Sequence, residues 1–364
     1  MKKIVISGGG TAGHINPALS IAYHLDKLGW KVIFIGNRNS LEERLIVNAD
    51  YSFYSINIQK IYRSIKFANL LFPVKLLSNI IRCCFLLKKI KPDAYLGTGG
   101  YVSGPGGIAA KITGIPVFLQ EQNSYPGLTT RFLAHSAKLV FLGNKNAEIY
   151  LSKAELMVTG NPINPELINS DHSIKPKDLH LSSSKKKIFL LGGSQGSLTL
   201  NQNFAPIIEK ILSMDMEIIW QTGKYSYENF HKQFASHSGI YIFDYTTDIA
   251  SLYSMSHLVI ARAGALTLAE LETLKIPALL IPFPSASENH QFYNALKQKE
   301  KGIAEIIEQK DLTASLLLKK VISMVKKIDF YKNNFTDTPH RNAACQIAIT
   351  INNALGGLDK CSEK

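Results

Sequence analysis

The sequence predicts an α/β protein with two separate parallel sheets. Three observations carry that expectation. Short apolar, β-branched runs alternate from end to end with segments long enough for crossover helices. The pattern basic pair, apolar run, glycine pair occurs twice, in Lys2-Lys3-Ile4-Val5-Ile6-Ser7-Gly8-Gly9 and in Lys186-Lys187-Ile188-Phe189-Leu190-Leu191-Gly192-Gly193, so each half opens on a strand that ends in a glycine turn. The 364 residues also exceed the ~100–200 residues of one typical domain.

In the first half, the runs at 4–7, 32–35, 94–96, 117–119 and 139–142 read as buried strands. In the second, the same rhythm returns at 188–191, 218–220, 241–243, 258–261 and 278–281. From Gly160-Asn161-Pro162 to Ser182-Ser183-Ser184 turn residues are dense and apolar periodicity stops. The domain boundary is placed near Pro162, dividing 1–162 from the residues after it.

Hydrophobic residues at 46%, charged residues at 19% and a mean hydropathy of +0.02 exclude a largely disordered chain. The net charge of +13 is uneven: 19 basic and 8 acidic residues stand up to Pro162, 22 and 20 after it. The first half is expected to meet an anionic partner, nucleic acid or acidic membrane, unless it is simply a solvated basic face. Cys83, Cys84, Cys345 and Cys361 form no C-x-x-C pair, which fits a reduced, cytosolic protein. Ile4-Val5-Ile6 is too short for the apolar core of a signal peptide. Residues 68–90 are interrupted by Pro73, Lys75 and Arg82, so they fall short of the ~20 apolar residues of a spanning helix.

Gly8-Gly9-Gly10-Thr11-Ala12-Gly13 satisfies G-x-G-x-x-G between a strand and a helix, where backbone N–H groups can hold a diphosphate. A dinucleotide site would want an acidic residue after the second strand, and Gly36-Asn37-Arg38 stands there instead. Arg38 keeps an NADP enzyme open as an alternative. His14 follows the loop at once, a candidate general base beside an anion site. A third glycine-rich turn, at Gly97, Gly99, Gly100, Gly104, Gly106 and Gly107, follows another strand. Three such loops on two sheets imply a cleft for two phosphorylated ligands.

Gly192-Gly193-Ser194-Gln195-Gly196 reads as a phosphate-cradling turn or as the G-x-S-x-G elbow of a serine hydrolase, with Asp244 or Asp248 and His290 following. Arg262-Ala263-Gly264-Ala265-Leu266-Thr267-Leu268-Ala269-Glu270 also starts where a strand ends. Glu270, early in the new helix, can accept two ribose hydroxyls or merely complement the helix dipole. There is no P-loop, no H-E-x-x-H and no Asp-x-Asp, so charge on a leaving group falls to loops, helix ends and Arg262.

Between Tyr51 and Pro92 there is no acidic residue, while Lys60, Arg63, Lys66, Lys75, Arg82, Lys88, Lys89 and Lys91 are basic. Phe67, Leu70, Leu71, Phe72, Val74, Leu77, Ile81 and Phe85 interleave with them. Apolar wedges ringed by Lys and Arg describe a surface that docks on anionic lipid without spanning it; RNA could use a similar patch.

The ordered set Gly9-Gly10-Thr11-Ala12-Gly13-His14 with Pro17, the loop 97–107, Glu121-Gln122-Asn123 with Pro126-Gly127, Gly160-Asn161-Pro162, the loop 192–196, the segment 262–270 and Asn289-His290-Gln291 resembles the MurG-type N-acetylglucosaminyltransferases of peptidoglycan synthesis. The resemblance spans nearly the full length. It implies a GT-B fold of two Rossmann-like domains facing across a cleft. The acceptor and membrane domain is 1–162, joined by a C-terminal helix within 340–364, and the UDP-sugar domain is 163–339.

The implied activity is inverting transfer from UDP-N-acetylglucosamine to an undecaprenyl-linked acceptor, without a metal or other cofactor. It would occur at the cytoplasmic face of the membrane, on its anionic inner leaflet, with no nucleic-acid partner. A related enzyme acting on diacylglycerol is the nearest alternative. By this resemblance His14 is the base, with Glu121 second. Ser194 and Gln195 contact the donor near its phosphates, Thr246, Ala265, Leu266 and Thr267 surround uracil, Glu270 holds the ribose, and Gln291 and Asn123 reach the sugar. Thr11, Ala12, Gly13, Asn164, Arg262 and Gly264 complete the donor site. Gly99, Gly100, Tyr101, Ser103 and Gly104 face the acceptor diphosphate, and Lys66, Phe67, Leu70, Leu71, Phe72, Lys75 and Arg82 face the membrane. Three positions depart from the pattern: Asn164 for a usual Arg, Gln120 for a common His, and Ala12 for Gly. The lost arginine leaves Arg262 or backbone groups to compensate, or lowers donor affinity.

Overall fold

The computed structural model describes residues 1–59, 72–168, 174–193, 195–246, 248–286 and 289–357. The chain divides into two compact units, Met1–Asn164 with Pro339–Lys364, and Pro165–Thr338. Asn164 thus belongs to the first unit, although the sequence boundary put it in the second.

The first unit runs β1 (Lys3–Ser7), α1 (Ala12–Lys27), β2 (Lys31–Asn37), α2 (Leu41–Asn48), β3 (Ser52–Ile56), α3 (Phe72–Ile90), β4 (Ala94–Gly97), α4 (Ser103–Ile112), β5 (Val117–Glu121), α5 (Leu128–Ala134), β6 (Leu139–Leu142) and β7 (Leu156–Val158). Its seven strands lie in the order β3-β2-β1-β4-β5-β6-β7, all parallel. Alternation along β1 sends Val5 to one face of the sheet and Ile4 and Ile6 to the other. Both faces are covered, which is why these strands read as continuous apolar runs.

The C-terminal helix Ala343–Ala354 belongs to this unit and buries Ala344, Ile347, Ala348 and Ile351 in the Ile4/Ile6 core. Trp30 Nε1 donates to Asn352 Oδ1 at 3.1 Å. At the helix's C-terminal end Lys138 Nζ donates to the Ala354 carbonyl and Lys2 Nζ to that of Leu355, cations placed where the helix dipole favours them. The chain's return is pinned as well, since Asn161 N–H donates to His340 Nδ1 at 2.8 Å.

The second unit runs β8 (Lys186–Leu191), α6 (Leu198–Phe204), α7 (Ile208–Leu212), β9 (Met216–Gln221), α8 (Tyr227–Phe234), β10 (Ile240–Phe243), α9 (Ile249–Ser254), β11 (Leu258–Ala261), α10 (Ala265–Thr273), β12 (Ala278–Leu280), α11 (His290–Glu300), β13 (Ala304–Ile306), α12 (Ala314–Lys326) and α13 (Ile328–Asn333). Its parallel order is β10-β9-β8-β11-β12-β13. Ile188, Leu190, Ile218 and Trp220 pack with Phe204, Phe230 and Phe234 in its core.

Three strands escaped the sequence reading. β3 is a partly exposed edge strand, Ser-Phe-Tyr-Ser-Ile, while β7 and β13 have three residues each, too short to register as apolar runs. Strand order reverses between β1 and β4 in one sheet and between β8 and β11 in the other. Ligands of open α/β sheets bind beyond the carboxyl ends at such reversals. Because Ile347 is fully buried, Ile347→Ala is expected to destabilise the protein by ~2–5 kcal/mol, read as a lower urea midpoint at unchanged m-value.

Candidate active site

In the first unit the turns after β1 and β4 interleave. A β-carbon on Gly8 would lie 1.9 Å from Thr98 Oγ1, and one on Gly100 would lie 2.2 Å from the Gly9 carbonyl oxygen. Gly99 and Gly100 hold φ of +98° and +74°, left-handed backbone that side chains disfavour. Thr11 stands at the N-cap of α1 without a side-chain capping bond, and the first turn has no acidic residue. No acid of the helix's own first turn complements its N-terminal dipole.

His14 is the third residue of α1, not its first. Its Nδ1 lies 3.2 Å from the Thr98 carbonyl oxygen and 2.9 Å from Gln122 Oε1. A carbonyl only accepts, so Nδ1 carries the proton. Nε2 is then the lone-pair nitrogen, and it has no hydrogen-bond partner among the described residues. The ring is half-buried. This is the tautomer a base needs, with its basic nitrogen open.

Other expected residues of this unit have structural tasks. Both oxygens of buried Glu121 are engaged: Oε1 accepts from Asn123 N–H and Nδ2, and Oε2 from Gly127 N–H. The carboxylate shapes the 121–127 turn and positions Asn123. Ser103 Oγ donates to the Gly100 carbonyl at 2.9 Å and is buried, so only the turn, not this hydroxyl, faces outward. The Tyr101 ring packs on Gly10, and its hydroxyl accepts from Asn37 Nδ2 at 3.3 Å.

Glu42, in the first turn of α2, carried no sequence signal. It is buried and accepts from Gly10 N–H at 3.4 Å and Asn37 N–H at 3.3 Å. A carboxylate already holds a donor of the first glycine loop, and a dinucleotide phosphate on that donor would meet like charge. The NADP alternative fails for that reason.

In the second unit Ser194 lies outside the described residues. Gln195 is exposed on its turn, and Gly196 packs so closely on the turn after β9 that a β-carbon would lie 2.3 Å from the Thr222 carbonyl oxygen. Arg262, at the end of β11, reaches across the strand reversal. Its NH1 donates to the carbonyls of Ile281 at 3.1 Å and Pro282 at 3.4 Å, and its NH2 donates to Ser197 Oγ at 2.9 Å and Gln309 Oε1 at 2.7 Å. The guanidinium lies 5.5 Å from the Phe283 ring. All four acceptors are neutral, and burial pulls its pKa down to about 10. The arginine is thus a partly desolvated cation held on neutral oxygens.

Glu270 is the sixth residue of α10 and buried, not a first-turn acid. The dipole reading is therefore replaced by a different environment. Tyr253 donates its hydroxyl to Glu270 Oε2 at 3.1 Å, and burial raises the carboxyl to about 7. Tyr253 was invisible in the sequence because it stands in an ordinary apolar run. Gly264 is the N-cap of α10, and half-buried Ala265 and Thr267 flank buried Leu266. Thr246 Oγ1 accepts from Asp248 N–H, and Gln291 Oε1 from Phe283 N–H. Both oxygens of Asp248 accept from Ser251 at the start of α9, and Asp244 accepts from its neighbour Tyr245. These acids serve local turns, which removes the support for a hydrolase triad.

Of the expected membrane residues, Lys66, Phe67, Leu70 and Leu71 lie outside the described residues. Phe72 packs on the core, Lys75 Nζ donates to Gln59 Oε1, and Arg82 is exposed. The exposed face of α3 presents Val74, Leu77, Ile81 and Phe85, four of the interleaved apolar residues, at 67, 59, 49 and 71% exposure, one stripe at helical spacing. Lys88 and Lys89 follow it on exposed positions. No helix among the described residues is long and apolar enough to cross a membrane.

Fold and site together define a GT-B glycosyltransferase. The glycosyltransferase family 28 N-terminal domain matches residues 4–142 and the family 28 C-terminal domain residues 187–347. A UDP-N-acetylglucosamine--N-acetylmuramyl-(pentapeptide) pyrophosphoryl-undecaprenol N-acetylglucosamine transferase of Ruminiclostridium cellulolyticum is 33% identical over 92% of this chain and 94% of its own. One of the same description from Flavobacterium psychrophilum is 35% identical over 85% of each. The crystal structure of Acinetobacter baumannii MurG superposes with a TM-score of 0.73 at 28% identity, covering 96% of this chain and 99% of that one. The chain belongs to glycosyltransferase family 28 and, within it, to the MurG family.

The raised Glu270 carboxyl makes stability depend on pH. Between its usual value of 4.5 and about 7 the folded protein holds a proton that the unfolded chain has released, so this group's contribution falls as pH rises through that window. At ~1.4 kcal/mol per unit the loss is ~3 kcal/mol at most. Glu270→Gln is expected to melt above the wild type at pH 8 and close to it at pH 4.5, and parallel melting curves at both pH values would contradict the assignment.

Proposed function

We propose that this protein transfers N-acetylglucosamine from UDP-N-acetylglucosamine to the 4-hydroxyl of the N-acetylmuramoyl sugar of an undecaprenyl-diphosphate-linked pentapeptide, a step of peptidoglycan synthesis. The reading rests on the family relatives. The observation that carries it in this chain is the tautomer of His14, whose free Nε2 stands beside two glycine turns. The acceptor oxygen attacks the anomeric carbon as the bond from that carbon to the UDP oxygen breaks, the electron pair leaving on the diphosphate. His14 Nε2 takes the hydroxyl proton, and the configuration inverts.

In this reading the second unit holds the donor. Arg262 and the 192–196 turn face the diphosphate and stabilise its developing charge. Glu270 accepts from the ribose, Ala265, Leu266 and Thr267 border the uracil, and Gln291 reaches the sugar. The transfer needs no metal in this reading, the charge on the leaving diphosphate falling to the cationic Arg262 and to backbone donors. The first unit takes the lipid-linked acceptor. The α3 stripe with Arg82, Lys88 and Lys89 docks it on the anionic inner leaflet at the cytoplasmic face, apolar side chains entering and cations meeting headgroups.

Radiolabelled UDP-N-acetylglucosamine and the lipid-linked acceptor test the activity directly, and label should pass to lipid equally with and without EDTA. His14→Ala is expected to lose ~10²-fold or more in kcat while UDP-sugar affinity stays near wild type; unchanged turnover removes His14 from the base role. Leu77→Asp with Phe85→Asp should abolish co-sedimentation with anionic vesicles while calorimetric UDP-sugar binding persists. Undiminished vesicle binding would refute the docking face.

A further inference from the structure

Gln120 and Gln122 are two buried amides that share one face of the end of β5 and its following turn. Thr98 settles their orientation. Its carbonyl oxygen accepts from Gln122 Nε2 at 2.8 Å and from His14 Nδ1, so the nitrogen end of Gln122 faces Thr98 and its oxygen faces His14. The same Nε2 also donates to Gln120 Oε1. Gln120 is thereby oriented too, and its own Nε2 is buried without a hydrogen-bond partner. A buried amide nitrogen left unpaired destabilises a fold, so stability does not explain this side chain. What it does is hold Gln122.

We propose that Gln122 is a positioning residue of the transfer reaction and that Gln120 acts through it, a chain of amides running Gln120 to Gln122 to His14. The inference rests on His14 being the base. Gln122 Oε1 and the Thr98 carbonyl together keep the proton on Nδ1, so Nε2 always faces the acceptor as a lone pair. When Nε2 takes the acceptor's proton the ring becomes a cation, and both oxygens then accept from a stronger donor. The pair accepts from the ring before and after proton transfer without placing a carboxylate beside it. The ionisable groups on the packed elements are engaged elsewhere: Glu42 with Gly10 and Asn37, Glu121 with Asn123 and Gly127, and Tyr101 with Asn37.

The test is the pH profile of kcat, with donor KM and melting temperature measured alongside. Gln122→Leu keeps the volume and removes one acceptor from the imidazolium. It should lower kcat ~10-fold or more at unchanged donor KM and move the acid limb to lower pH. Gln122→Glu adds negative charge at the same place and should move that limb to higher pH. Gln120→Leu removes the unpaired amide together with the anchor of Gln122. It should retain or raise the melting temperature while kcat falls several-fold, and it carries the test if the Gln122 variants do not fold.

Opposite displacement of the limb in the two Gln122 variants is beyond a merely structural role. A limb that stays in place in every folded variant, or a loss confined to donor KM, overturns the proposal while His14→Ala remains inactive. Wild-type turnover in His14→Ala would instead remove the premise, and the positioning role with it.

Discussion

Two strand ends can meet at the reversal of the first sheet only because the turns that leave them carry no side chains where they cross. Gly8 lies against Thr98 and Gly100 against the Gly9 carbonyl at separations that admit no β-carbon. That approach brings the Thr98 carbonyl within reach of both His14 Nδ1 and Gln122 Nε2. One backbone oxygen, able only to accept, then determines which nitrogen of the histidine is protonated and which way the amide turns. The tautomer of His14 follows from the backbone path.

The two halves open on the same motif, strand then glycine pair then helix, yet their electrostatics are opposite. Behind the first-unit loop sits the buried carboxylate of Glu42, accepting from Gly10. Beside the second-unit loop sits Arg262, fastened to four neutral oxygens and drawn partly out of water. A desolvated cation without a carboxylate partner gains most from an arriving anion. A carboxylate under a glycine turn repels one. The repeated pattern therefore specifies a repeated backbone shape, and the polarity of each loop comes from elsewhere in the unit.

Much of this was legible in the residues themselves. Ten of the thirteen strands announced themselves as apolar runs because both faces of each sheet are covered; β3, β7 and β13 are edge or three-residue strands with little to announce. His14 and Arg262 could be singled out because each stands next to a glycine turn at a strand end. Glu270 stands out in the sequence as an acid in the helix after a strand end, but only the packing of α9 against α10 shows the Tyr253 hydroxyl on its carboxylate. Glu121 stands out in the sequence as an acid at a strand end, and only the folded turn shows its oxygens accepting from Asn123 and Gly127. Glu42 passed unnoticed, because a first-turn glutamate looks the same whether it faces water or a buried loop. On α3 the sequence showed a basic, apolar segment, and only burial told the core residues Cys83 and Leu87 from the exposed stripe.

By itself the sequence determined the two-sheet class, the places where strands give way to glycine turns, and the family. These are local matters of hydrophobic period and backbone freedom, written in neighbouring residues. The tertiary structure decided strand order, and with it which turns stand together at the reversals. It also decided which nitrogen of His14 is free and what holds Arg262, because each depends on partners tens of residues or more away: Thr98 and Gln122 for His14, Ser197 and Gln309 for Arg262.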